Sequence, residues 1–348
     1  MEKLKNVYGK LLMLALVMMC AGGILASGSN VYGATATDGL KGKYIYTGEG
    51  DTMYKVNTQN GKAKKAFKIK KLKDYNGLYG NAYYYKGYLY FVADLYLGTD
   101  SANLYICRCK PNGKGFKKLA RGYSFRINGK KIYYIKQKDK GEYFVNVGIT
   151  SMKLNGKGKK VIKSSKSIRG FDFNGNKILY TLNNKIYQMN KNGSSIKSLS
   201  LTNNNINTYV DGDYVLYTKF VKTGTSYGSD VGYYEEHVYG LKDGTDVTVC
   251  KGTEDESAEI QLFENGVVYY SFYDSGTITL YKYELSTGET SKVKKFKDKS
   301  WLTMRYVSDK VIVSEECDAE WTSTYNAGIY SYNLKTGKKR VIKKFVMS

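Results

Sequence analysis

The chain has one proline, one histidine and two tryptophans in 348 residues. A single proline excludes polyproline and collagen-like segments. With His237 as the sole imidazole and no C-x-x-C pair among five cysteines, an ordinary zinc ligand set is excluded, and no metal or cofactor is expected. The chain also lacks a Walker loop, a dinucleotide fingerprint and H-E-x-x-H. Spaced D-x-D-x-D loops of the calcium type are missing as well.

What the chain has instead is 37 glycines, 36 tyrosines and a net charge of +24. Tyrosine favours the pleated, half-buried surface of a sheet, and glycine supplies tight turns, so this composition points to many strands joined by short hairpins.

The first residues have the pattern of an export signal. Lys3, Lys5 and Lys10 precede an apolar run from Leu11 to Ala26, and Ala34-Thr35-Ala36 offers a small-residue cleavage site. Residues 1–36 are expected to be a signal peptide and 37–348 a single domain, with cleavage after Ala26 the alternative. As an uncleaved anchor the run is slightly short for a membrane span, so no span is expected in the mature chain. Cys20 follows Met where a lipobox wants a small residue. An exported protein is permitted disulfides, but Cys107, Cys109, Cys250 and Cys317 form no dense framework and read as buried free thiols.

The stretch "GNKILYTLNNKIYQMNKNGSSIKSL", Gly175 to Leu199, packs short apolar-aromatic runs between the turn signals Asn183-Asn184 and Asn192-Gly193. The same unit recurs, with its first turn at Gly42, Gly87, Gly129, Gly175, Gly212, Gly266 and Asp309, 37 to 54 residues apart. Repetition at this period is that of β-propeller blades. Each unit supplies an inner strand A ("GFDF" at Gly170), a strand B that is apolar on both faces ("ILYTL" at Ile178), a strand C ("KIYQM" at Lys185) and a Lys-studded outer strand D ("KKVI" at Lys159). Apolar residues on both faces are expected when each sheet is sandwiched between two others. The prediction is an all-β propeller of seven four-stranded blades, with six or eight the alternatives. The first blade lacks an evident strand A. Either residues between Ser27 and Leu40 supply it, or the ring closes in another way.

"KKIYYIKQ…GITSMKLNGKGKKVI", Lys130 to Ile162, and its weaker copies resemble the bacterial propellers similar to those of the LDL-receptor-related proteins. The resemblance covers nearly all of the mature chain and implies a propeller on an exported protein. It brings no catalytic residues with it, and the Trp-Asp dipeptide of the animal relatives is absent.

Short A-to-B and C-to-D turns fall on one side of such a ring, whereas the long B-to-C and D-to-A connections fall on the other. Binding residues concentrate on loops held by a rigid scaffold, so the long-loop face is the expected working face. Candidate ligand-binding residues there are Trp301, Trp321, Tyr96, Tyr227, Tyr233 and Tyr234, whose rings suit sugar faces or a partner's side chains. Acids gather on the same face, at Glu254, Asp255 and Glu256 and at Glu315, Glu316, Asp318 and Glu320, and read as solvated loops.

The function expected is non-catalytic binding of a glycan or surface protein at the cell envelope. One alternative is a carbohydrate-active enzyme using Asp172 with a loop acid, since a glycosidase needs two carboxylates. His237, beside Glu235 and Glu236, reads as structural. A further alternative is a structural envelope module held by charge. The Lys-rich rim reads first as protection of exposed strand edges, with attraction to an anionic cell-wall polymer as a consequence. Nucleic acid is not expected, because no recognised binding motif is present.

Overall fold

The computed structural model describes residues 40–96, 103–141, 144–204, 209–226, 229–253, 258–274, 276–318 and 325–347. The signal-like segment lies outside them. Apart from a 3₁₀ turn at Lys70–Leu72, every described element is a β-strand. The first meander is β1 (Tyr44–Gly50), β2 (Thr52–Asn57) and β3 (Ala63–Lys68). It is followed by β4 (Gly77–Tyr85), β5 (Tyr88–Asp94) and β6 (Leu104–Cys109), then by β7 (Lys117–Asn128), β8 (Lys131–Asp139), β9 (Phe144–Lys153) and β10 (Lys160–Ser164). These strands form one ten-stranded sheet in the order β10-β9-β8-β7-β6-β5-β4-β1-β2-β3.

The remaining strands form four-stranded antiparallel meanders. They are β11 (Phe171–Asn174), β12 (Lys177–Leu182), β13 (Lys185–Asn190) and β14 (Lys197–Thr202), then β15 (Tyr209–Asp211), β16 (Tyr214–Ser226), β17 (Ser229–Gly240) and β18 (Asp246–Lys251). The next is β19 (Ala258–Glu264), β20 (Val267–Asp274), β21 (Thr277–Glu284) and β22 (Glu289–Lys297), and the last is β23 (Lys299–Val307), β24 (Val311–Asp318), β25 (Tyr325–Asn333) and β26 (Lys339–Met347).

Successive meanders stack face to face, because their central strands bury apolar residues on both sides. Leu179 and Ile186 pack on Val215 and Tyr217 of the following meander. Ile278, Leu280 and Phe296 pack on Leu302, Met304 and Ile312 of theirs. The last packs on the first, through Val311, Val313 and Ile329 against Ile45 and Val56. Each such side chain contributes roughly 1.5–3 kcal/mol by leaving water. The fold is a β-propeller.

The A-to-B turns differ from the sequence reading by one residue. Asn128, Asn174 and Asp211 are the last paired residues of their inner strands, opposite Lys131, Lys177 and Tyr214. The glycine after each opens the two-residue turn with positive φ, and only at Asn265-Gly266 do both residues occupy the turn centre. The displaced polar residues reach the neighbouring meander instead. Asn128 Nδ2 donates to Gly175 O at 3.4 Å, Asn174 Nδ2 to Gly212 O at 2.6 Å, and Asp211 Oδ2 accepts from Gly266 N at 2.5 Å. Tyr85 starts this chain of turns by donating to Gly129 O at 2.9 Å. The C-to-D turns are as expected: Asn112, Asn155 and Asn192 each accept the backbone N–H two residues on.

Two expectations are corrected. As for the first meander's inner strand, residues 27–39 lie outside the described residues, and β4 pairs both with β1 through Tyr46↔Ala82 and with β5 through Tyr85↔Tyr88. Between β6 and β8 there is no loop: residues 117–121 of β7 pair with β6 and residues 122–128 with β8. Gly122 makes this crossing with φ 144°, where a Cβ would lie 2.1 Å from Ile135 O. Most residues assigned to long B-to-C loops are paired strands, including Lys136–Asp139 and Lys219–Ser226. Alternating Lys, Thr and aromatic residues there sustain the ladder beyond the core.

All four described cysteines are free and buried. Cys107 and Cys109 share one core cluster, as C-x-C in a strand requires.

The seam between last and first meanders centres on Arg305, which donates to Thr47 Oγ1 at 2.7 Å and Gly48 O at 2.9 Å. It is ion-paired to Glu315 at 2.5 Å and Glu49 at 3.3 Å. Ser331 Oγ donates to Gly61 O at 2.7 Å, and Arg340 Nη1 to Asn60 O at 2.8 Å. Removing one partner of a buried charge cluster typically costs about 3 kcal/mol. Arg305→Ala is therefore expected to lower the urea midpoint by a corresponding amount, with Arg121→Ala, an exposed pair, shifting it by less than about 1 kcal/mol.

Candidate functional site

The inner strands β11, β15, β19 and β23 are neighbours around the axis. Their polar side chains are mostly tied to one another. Arg126 Nε meets Asp172 Oδ1 at 3.2 Å with both side chains 4% exposed, and Phe173 N donates to Asp172 Oδ1 at 2.8 Å. Burial pushes the Asp172 carboxyl up to about 7 despite the pull of Arg126. Gln261 accepts from Met304 N at 3.0 Å and donates to Ser271 Oγ at 3.0 Å, linking β19 to β23. Asn81 of β4 donates to Arg305 O.

A second network joins the end of β14 to β12, β16 and β17 on the B-to-C and D-to-A side. Asn203, just after β14, donates to Thr181 Oγ1 at 2.8 Å and accepts from Thr218 N at 3.0 Å. Thr218 Oγ1 donates to Glu236 Oε2 at 2.8 Å. Burial pushes Glu236 up to about 8, and the nearby charge of Glu259 adds to the shift. Glu259, the second residue of β19, is open to solvent yet closely surrounded by protein, as a channel-lining group is. This enclosure raises it to about 7. Carboxyl groups whose protons are held this tightly by burial can donate a hydrogen bond near neutral pH or accept a cationic group. No group of three or more ligands suited to a metal ion occurs among the described residues.

The aromatic candidates are dispersed. Tyr227 and Trp321 lie outside the described residues, as do Glu254, Asp255, Glu256 and Glu320. Tyr96 is half-buried beside the β5–β6 connection, where its carbonyl accepts from Asn76 N at 3.0 Å. Trp301 is not in a loop: it sits half-buried in β23 opposite Cys317 of β24, because the ladder begins at Lys299. Tyr233 and Tyr234 stand on the β16–β17 hairpin, opposite Val221 and Phe220. The Tyr234 ring packs on Phe220 with centroids 5.2 Å apart and remains 44% exposed.

This hairpin outreaches its sheet. Pairing between β17 and β18 ends at Glu235↔Lys251, whereas β16 and β17 remain paired as far as Ser226↔Ser229. Residues 219–226 and 229–234 thus form a two-stranded ribbon that leaves the blade at Tyr234, whose carbonyl still accepts from Gly252 N at 2.8 Å. In sequence, Gly224-Thr225-Ser226-Tyr227-Gly228 matches G-x-S-x-G, a motif expected to be absent, with Tyr227 and Gly228 outside the described residues. A nucleophile elbow is a strand-to-helix turn, and here the chain runs from strand into hairpin.

The remaining acids are internally committed. Glu316 is fully buried, accepting from Ser314 Oγ at 2.7 Å and Tyr332 OH at 2.5 Å and pairing with Lys339 at 3.1 Å. His237 lies 3.1 Å from Glu235 and 3.3 Å from Asp246, with its ring stacked on Tyr217. That cluster packs between blades.

No family model matches the chain, and no curated protein matches it. Solved structures do. A puromycin hydrolase is 13% identical with a TM-score of 0.51, over 94% of this chain and 55% of that one. An acylaminoacyl peptidase is 15% identical with a TM-score of 0.50, over 84% and 48%. The β-propeller domain of the Trilobed protease from Pyrococcus furiosus is 14% identical with a TM-score of 0.49, over 87% and 95%. The chain thus spans about half of the first two proteins. At this identity the likeness establishes the fold alone.

The raised carboxyls give a pH prediction. A folded Glu236 near 8 against an unfolded value near 4.5 binds its proton more tightly in the native state. Its contribution therefore makes stability fall as pH rises between these values. Glu236→Gln is expected to be close to wild type in melting temperature at pH 5 and more stable at pH 8, by about 2 °C or more. Thermal melts at the two pH values test this.

Proposed function

We propose that the protein is an exported, seven-bladed propeller that recognises a glycan or protein partner at the cell envelope through its B-to-C and D-to-A face. The observation that carries this reading is the ribbon of residues 219–226 and 229–234, which extends beyond β18 and offers Tyr234 to solvent. A two-stranded hairpin alone is marginal in water, and its free edges and aromatic pairs suit a partner that adds contacts to it. Phe220 with Tyr234 and Val221 with Tyr233 supply opposite faces of the ribbon, since successive strand residues alternate. Export is inferred from the lysines and apolar run before Ala36, and seven blades from the seven repeats.

A second reading, a carbohydrate-active enzyme, is favoured by two carboxyls, Glu236 and Glu259, that burial pushes up to about 8 and about 7. Asp172 is a poor choice for its acid, being locked to Arg126.

Pull-down on cell walls, surface-protein extracts and a glycan panel tests the first reading. Phe220→Ala/Tyr234→Ala is expected to weaken capture at least ~10-fold, as loss of two contact aromatics does. The loss should persist in moderate salt. Trp301→Ala measures whether the face extends to β23. Undiminished capture by the ribbon variant would remove the ribbon from the recognition site. Release of reducing sugar by wild type but not by Glu259→Gln would support the second reading instead.

A further inference from the structure

The outermost strands are unequally charged. β22 reads "ETSKVKKFK" and β26 "KRVIKKFVM", with four cations each, and β3 reads "AKKAFK" with three. Glu289 is the single acid among these strands. The outer segment of β7, residues 117–121 "KKLAR", adds three cations and β10, "KVIKS", two, whereas β14, "KSLSLT", has one cation, and β18, "DVTVCK", has one cation and one acid. All are outer edges. If lysine served only to keep edges from pairing with other chains, β14 and β18 would need it equally.

The rich edges are also neighbours. β26 contacts β3 across the seam, and Lys294 of β22 lies 4.5 Å from the ring of Tyr332 on β25. Together they make a continuous basic arc on the outer wall. Among the described residues Lys64, Lys295, Lys297 and Lys344 on this arc are exposed and make no ion pair.

We propose that this arc, distinct from the ribbon face, binds a linear phosphodiester polymer. Three features select that occupant. The charge is opposite and spread over three edges, which suits an extended chain better than a single small anion. The cations are mostly lysines, compact point charges that bind phosphate without needing a fixed bidentate geometry. The one arginine of the arc, Arg340, already donates to Asn60 O. Single-stranded nucleic acid would require exposed rings for its bases, but Phe67 and Phe296 of these strands are buried.

The test is titration of the full chain with labelled poly(glycerol phosphate) over a salt series. A variant with Lys64→Gln, Lys295→Gln, Lys297→Gln and Lys344→Gln is compared with one of equal net charge, Lys159→Gln, Lys160→Gln, Lys166→Gln and Lys197→Gln, on the other side of the ring. Wild type is expected to bind with steep salt dependence, the arc variant at least ~10-fold more weakly and the control within ~2-fold of wild type. The salt slope should fall by roughly one unit for each lysine that touches a phosphate. Equal weakening of both variants would reduce the effect to net charge and overturn the proposal. Tighter binding to hyaluronate of matched charge, or to single-stranded DNA, would overturn the assigned chemistry. An arc variant that binds as wild type but self-associates would return these lysines to edge protection.

Discussion

Every sheet in this chain needs a neighbour on each face, and the architecture follows from that need. A central strand such as β12, with Ile178, Leu179 and Tyr180 in succession, buries residues on both sides and cannot leave either in water. Stacking sheets in a row satisfies all but the two end faces, so the row must bend round until its ends meet. The closure at β23–β26 against β1–β3 has no shared strand among the described residues. It depends on the apolar cluster around Val313 and on Arg305, whose guanidinium reaches across to Thr47, Gly48 and Glu49. At the opposite side of the same meander β4 serves two sheets at once, which makes β1–β3 an outgrowth of its successor. Among the described residues the later meanders likewise share no strand with one another, so there too the stack is held by side chains.

Charge inside the ring is arranged by the same requirement. A buried ion costs several kcal/mol unless a partner and hydrogen bonds surround it. Arg126 and Asp172 meet that condition between adjacent inner strands, and Arg305 meets it at the seam. These pairs set neighbouring strands in register and leave little charge free for a ligand. Glu236 and Glu259 are different: among the described residues no cation lowers Glu236, the charge of Glu259 raises it further, and burial pushes both carboxyls up.

Turn chemistry and apolar runs made the strands legible before any coordinates. Asn183-Asn184 closes a two-residue hairpin with both residues at positive φ, and the inner strands fall where "GFDF" and "EIQLF" placed them. What was not legible depended on partners distant in sequence. Nothing local to "GNAYYY" announces that β4 has two neighbours. Asn128, Asn174 and Asp211 look like turn residues because Asn-Gly and Asp-Gly normally are; their role is set by a glycine 47, 38 and 55 residues on. Long connections looked like loops because they lack core hydrophobics, yet a ladder needs only alternation and backbone to continue. Trp301 was displaced from its expected loop for that reason.

A ring of radial sheets has two kinds of surface with different physical possibilities. Its faces are made of connections, which change length without disturbing the stack, as the ribbon at residues 219–226 shows. Its outer wall is made of strand edges, whose backbone geometry is fixed and whose variation is confined to side chains. Shape recognition therefore falls to the faces and charge recognition to the wall. The two kinds of binding also respond oppositely to ionic strength, since exposed lysines lose their reach within a Debye length of about 8 Å at physiological salt, while apolar contact by Phe220 and Tyr234 does not weaken. A chain that concentrates lysine on β22, β26 and β3 and leaves β14 and β18 almost neutral has an oriented wall. Attraction to a polyanion would turn that arc inward and hold the axis, with its ribbon face, at a defined tilt to the surface it meets.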